Sequence, residues 1–247
     1  MKHRSESGEA DDRPFWQQRG WQWSAAFVAV VLCMGVVVAF SGGPDAAAKS
    51  AEQPTETGPL SGGVGPDGSR PGGCHTDDTD QAAPVRPPSD VTWRPLNGAN
   101  IPLSASAGPV QTSGPVLWCF AHTPIGAVMA ANVIPRQMSG NDWRTVTEQQ
   151  VVPGIARDVF VAMRSSQPQA PQQYTASSVA GFMLVSYSPD TATVRLLIKQ
   201  LPALYGVTDF TVAWDGGDWK LQALSDGDLH TPLTAVTANG GFVMWKV

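Results

Sequence analysis

Residues 208–224 read TDFTVAWDGGDWKLQAL. Phe210, Val212 and Trp214 alternate with smaller or polar residues up to Asp215-Gly216-Gly217-Asp218, and Trp219, Leu221 and Ala223 alternate away from it. A period of two on both sides of a glycine pair predicts a β-hairpin, because glycine adopts the positive φ that short strand connections require. Trp214 and Trp219 are placed to meet across it. The same period appears upstream, where Ala180, Phe182, Leu184 and Ser186 alternate with Gly181, Met183, Val185 and Tyr187 before the turn residues Ser188-Pro189-Asp190. In TATVRLLIKQ (191–200), Val194, Leu196 and Ile198 point one way and Arg195 and Lys199 the other. An antiparallel meander with one buried face is expected.

Helical spacing precedes the meander. At Thr123-Pro124 the hydroxyl can accept an orphan N–H and proline suits the first helical position, so a helix is expected to run to about Met138. Ile125, Val128, Met129 and Val133 fall on one of its faces. NDWRTVTEQQVV (141–152) reads as a second helix stopped by Pro153-Gly154, and IARDVFVAMRSS (155–166) as a third that aligns Ile155, Val159 and Met163. Helices followed by an antiparallel meander give an α+β domain over 91–247, with the helices packed on one face of a curved antiparallel sheet.

The N-terminal region is of another kind. WSAAFVAVVLCMGVVVAF (23–40) has eighteen residues without a charge, long enough at 1.5 Å per residue to span about 27 Å of bilayer. Trp16, Trp21 and Trp23 crowd its leading edge, where indoles favour the headgroup region. Lys2, Arg4, Arg13 and Arg19 precede it, whereas only Lys49 lies in the twenty residues after it. The basic residues stay inside, so 1–20 is expected to be a cytoplasmic tail, 21–40 a single transmembrane helix in the cell membrane, and the C-terminal domain to lie outside. A cleaved signal peptide is the rival reading, since Ala46-Ala47-Ala48 offers small residues to a signal peptidase. Both readings export the domain. Cys33 follows Leu32 and lacks the small preceding residue of a lipoprotein site, so it reads as a small buried hydrophobe.

Between anchor and domain, residues 41–90 are rich in Gly, Pro and acidic residues and nearly devoid of aromatics. Such a segment buries too little apolar area to offset chain entropy, and is expected to be a disordered linker. It carries three basic and eight acidic residues, against four and four before it and nine and nine after it, and so holds the whole net charge of −5. A neutral domain without Lys/Arg clusters has no electrostatic footprint for nucleic acid.

Few residues suggest chemistry. Cys74-His75 with Asp77, Asp78 and Asp80 contains ligand types, but it lacks the second pair of a zinc site and the glycine and distal glutamate of a calcium loop. No metal or cofactor is assigned. Cys74 and Cys119 are the only two cysteines beyond the apolar segment and form the candidate disulfide. His122, beside the first helix, can act as a base or fix a turn, while His230, near Asp226, Gly227 and Asp228, reads as solvated surface. No Gly-x-Ser-x-Gly elbow, HExxH helix or phosphate-cradling Gly-Lys loop occurs, so no catalytic residues are assigned and an enzyme is not expected. Trp93, Trp118, Trp143, Trp214, Trp219 and Trp245 read mainly as packing. Phe242 and Trp245, in GGFVMWKV, are the candidate partner-contact residues.

Five separated strings occur in order: GGCHTDDTDQAAPVRPPSDVTWRPLNGANIPLSASAGP (72–109), FAHTPIGAVMAA (120–131), QVVPGIARDVF (150–160), VAGFMLVSYSPDTATVRLL (179–197) and GFVMWKV (241–247). With them the chain resembles a family of actinobacterial membrane proteins associated with integrative conjugative elements, over roughly residues 72–247. The helices-then-meander order is also similar to the cone-shaped fold of the nuclear transport factor superfamily, which bitopic components of conjugative type IV secretion channels use outside the inner membrane. The resemblance implies a structural or assembly component whose partners are membrane lipid, cell-envelope proteins and further copies of itself. An extracytoplasmic cone that binds a small ligand or acts as an enzyme is the alternative.

Overall fold

In the computed structural model, which describes residues 58–61, 70–167, 178–201, 204–237 and 239–245, two small antiparallel pairs come first. They are β1 (Thr92–Leu96) with β2 (Ala99–Leu103), and β3 (Gln111–Ser113) with β4 (Val116–Trp118). Neither pair is evident from side-chain period, because Pro95 and Pro102 interrupt the first and the second has only three residues per strand. The signal was the turn. Asn97 and Gly98 lie at φ 47° and 79°, the positive values for which Asn-Gly is selected in hairpins.

Three helices follow: α1 (Pro124–Met138), α2 (Trp143–Gln150) and α3 (Ile155–Ser166). Thr123 caps α1 by accepting the Gly126 N–H at 3.1 Å, with Pro124 in the first turn. Gly126 is required by proximity, since a Cβ there would stand 1.9 Å from the Ala121 carbonyl oxygen. That contact lets α1 sink until Val128, Met129, Ala130, Ala131, Val133 and Ile134 are all buried. By contrast, α3 has no fully buried residue and leaves Ile155 to solvent.

The main sheet contains β5 (Ser178–Tyr187), β6 (Thr191–Leu201), β7 (Leu204–Asp215), β8 (Asp218–Leu221), β9 (Thr234–Val236) and β10 (Val243–Met244). Its order is β10-β5-β6-β7-β8, and β9 pairs with the other end of β7. Every named pairing is antiparallel, while a lone parallel bridge from Val151 to Leu221 ties the end of α2 to β8. Gly216 and Gly217 take φ 61° and 82° between β7 and β8, and Trp214 faces Trp219 in register with ring centres 5.4 Å apart. The domain is α+β, with three helices among the described residues and a mainly antiparallel sheet. Alternation along β5 is not strict. Register shifts at Val179/Gly181 and Leu184/Ser186 are bulges, and they leave Gly181 and Phe182 buried in succession.

The expected linker is corrected where it is described. Residues 58–61 and 70–90 lie on the domain, with Leu60 3% and Cys74 5% exposed. Apolar content was the wrong measure of their attachment, which is covalent and polar. Cys74 is bonded to Cys119, and Leu60 donates its N–H to Gln149 Oε1 at 3.0 Å. Closing a loop between cysteines 45 residues apart stabilises the fold by about 4 kcal/mol in the chain-entropy picture. The expected tail (1–20), membrane segment (21–40) and remaining linker residues lie outside the described residues. Among the described residues no helix is long and apolar enough to cross a membrane. All described residues belong to one compact unit, Glu56–Val247.

Candidate functional site

Two regions concentrate the polar residues that packing alone does not explain. The first is a clasp that fastens residues 70–81 to the sheet. Asp218, at the start of β8, has no solvent exposure. Its carboxylate accepts N–H groups from Cys119 (2.7 Å), Phe120 (2.9 Å) and Trp219 (3.0 Å), and Arg70 Nη2 lies 3.5 Å away. Arg70 donates further to the Gly217 carbonyl at 2.9 Å, to Thr76 Oγ1 and to the Phe120 carbonyl. Its guanidinium stands 4.8 Å from the Trp214 ring centre, and the His122 ring stacks on the same indole at 3.7 Å. Burial pushes the Asp218 carboxyl up to about 6, against the opposing pull of the backbone N–H groups and of Arg70. The Asp218 carboxylate and the Arg70 guanidinium are both bonded to protein groups, so the arrangement fastens a segment.

The second region is a half-open cavity of about 420 Å³ bordered by α1, β2, α3, the strands β5 to β7 and residues 229–233. Ile101, Phe160, Leu196, Ile198 and Phe210 give it an apolar wall. On α1, Asn132 and Arg136 stand four residues apart and therefore share the face that lines it. Asn132 is 6% exposed; its Nδ2 donates to the Val128 carbonyl at 2.8 Å, which leaves buried Oδ1 without a partner. Burial lowers the pKa of Arg136, and its guanidinium has no hydrogen bond or counter-ion among the described residues. Arg164, in the last turn of α3, also lines the cavity and lies 5.4 Å from the Trp143 ring centre. Among the described residues no Asp or Glu lines it. The cavity thus offers apolar surface and two cations, while the unpartnered Asn132 Oδ1 is sealed inside its wall.

The residues singled out from sequence scatter. Cys74 and Cys119 form a disulfide with Cα atoms 5.4 Å apart. Trp245 is a core residue, not an exposed contact: it is 6% exposed and packs on Phe182 at 4.9 Å and edge-on to Trp93 at 5.8 Å. Pairing of β10 with β5 draws it inward, and its backbone N–H donates to the Ala180 carbonyl at 2.9 Å. Phe242 is half-buried beside it in sequence, so the two make no exposed aromatic patch. His122 belongs to the clasp, where its Nε2 meets the Pro189 carbonyl at 2.6 Å. His230, read as surface, is exposed yet sits on the cavity rim near Thr208. No group of His, Cys, Asp and Glu suited to a metal occurs among the described residues.

Sequence reading missed Asn132, Arg136 and Arg164. The available signal was Asn132, a lone amide inside the apolar stripe of α1. Arg136 and Arg164 each sit in a helix's last turn, where a cation already suits the helix dipole and raises no question.

Fold and cavity define an α+β domain with a preformed, cation-bearing apolar chamber. The chain belongs to the family described as Domain of unknown function (DUF8175), whose model matches residues 54–244. The matched span takes in the clasped segment together with the sheet. No curated protein and no solved structure matches the chain.

Proposed function

We propose that this chain is a membrane-anchored extracytoplasmic assembly component, working in a conjugative, type IV secretion-like transfer complex of the cell envelope. The observation that carries the extracytoplasmic half is the Cys74–Cys119 disulfide, since such bonds persist in oxidising compartments and are rare in the cytosol. The uncharged run 23–40, preceded by four basic residues, supplies the anchor with its N-terminus inside. The assembly half rests on the family resemblance and on a cone-like reading of the fold, which bulges in the long strands support by bending the sheet around α1. In this reading the domain is not enzymatic, and its partners are membrane lipid, envelope proteins and other copies of the chain.

Crosslinking in native membranes, followed by solubilisation and purification of the tagged full chain, tests it. Transfer-channel or other envelope subunits should co-purify. Recovery of the chain alone, or activity of a reporter fused after Val247 only in the cytosol, overturns the proposal. A ligand-binding reading is favoured by one specific observation, the two arginines that line the cavity with no acidic side chain beside them among the described residues.

A further inference from the structure

We infer that the cavity beneath α1 is a binding site for a small amphiphilic anion: a hydrophobic chain ending in a carboxylate or phosphate. Each part of this description answers a feature of the wall. The volume of about 420 Å³ and the surface made by Ile101, Phe160, Leu196 and Phe210 call for an apolar body. Arg136 calls for the anion, because a guanidinium partly withdrawn from water, with no counter-ion among the described residues, is costly to keep. Arg164, on α3, adds a second positive charge, and among the described residues no acidic side chain lines the cavity to offset either.

Asn132 sets no further requirement, because its unpartnered Oδ1 is sealed inside the wall and has no room for a ligand's donor. A medium-chain fatty acid meets the description, and so does a lysophosphatidate. A cationic amphiphile would set like charge against Arg136 and Arg164. A plain alcohol would leave Arg136 as unpaired as before. The inference stands apart from the assembly proposal, since ligand binding can succeed or fail whatever co-purifies with the chain.

The test is calorimetric titration of the full chain in nanodiscs, with empty nanodiscs as the blank. The probe is octanoate, short enough to stay largely in solution, and octylammonium of the same chain length should show no saturable binding. Arg136→Met should weaken octanoate at least about tenfold. Octanoyl lysophosphatidate separates the sources: tighter binding than octanoate assigns a membrane-derived ligand, weaker binding a free acid. Equal binding of octanoate and octylammonium, or no binding of any anion to the unaltered chain, overturns the inference. Those comparisons use the natural sequence and hold even if a variant fails to fold.

Discussion

Arg70 and Arg136 are both partly withdrawn from water, yet the protein treats them in opposite ways. Around Arg70 stand Asp218, Asp78, the Gly217 and Phe120 carbonyls, Thr76 and the Trp214 face. Arg136 shares its cavity with a mainly apolar wall and with Asn132, whose unpartnered oxygen is sealed inside that wall. A partly buried charge with its own complement is a structural fastening. One with no complement among the described residues points to a complement supplied from outside. The comparison also separates the two aromatic-rich histidines: His122 is stacked and bonded within the fastening, whereas His230 stands at the open rim.

Removing the fastening's charge is the strongest way to break the contrast. Asp218→Ala leaves Arg70 with only the more exposed Asp78 as counter-ion among the described residues, and three N–H groups without an acceptor, and should cost roughly 3–5 kcal/mol. Urea unfolding would read this as a lower midpoint at unchanged slope, and a loss below about 1 kcal/mol would mean that the clasp does not depend on its charges.

Acidity sharpens the same point with a smaller effect. The folded Asp218 carboxyl, at about 6, lies above its ordinary 3.8, so the folded chain takes up a proton in this window that the unfolded chain does not. Stability from this group is fully present below about pH 4 and is lost as pH rises through about 6. Asp218→Asn removes the titration. The stability of the natural chain minus that of the variant should therefore fall between about pH 4 and 7, by at most about 1.4 kcal/mol per pH unit. A flat difference across that range would show that Asp218 does not titrate there.

The smallest expected effect is the most discriminating. Arg136→Met removes a desolvated cation that makes no bond among the described residues, so without ligand it should be neutral or stabilising by up to about 1 kcal/mol. A loss comparable to that of Asp218→Ala would place Arg136 with the structural charges and erase the contrast.

Legibility followed the kind of force involved. The helices α1 to α3 and the strands β5 to β8 carry strong apolar periods, and they occur where the periods lie. The β1–β2 hairpin has a clear Asn-Gly turn but strands broken by prolines. Residues 70–90 looked like a tether because composition counts apolar burial only, whereas Arg70, Cys74 and Thr76 fasten them by charge, covalent bond and hydrogen bond. Trp245 looked like an exposed contact because nothing local shows that β10 joins β5. The cavity was illegible for a further reason: Asn132 and Arg136 are four residues apart in sequence, but Arg164, Phe210 and His230 reach them only across the fold.

By itself, then, the amino-acid order determined what depends on neighbours along the chain: helix starts, strand alternation, the Gly216-Gly217 turn and the α+β succession. Tertiary structure decided which polar groups find partners. Asp218 meets Arg70 across 148 positions of chain, Asn132 Oδ1 meets none among the described residues, and a hydrogen bond or ion pair is settled by distances in space that no local period encodes.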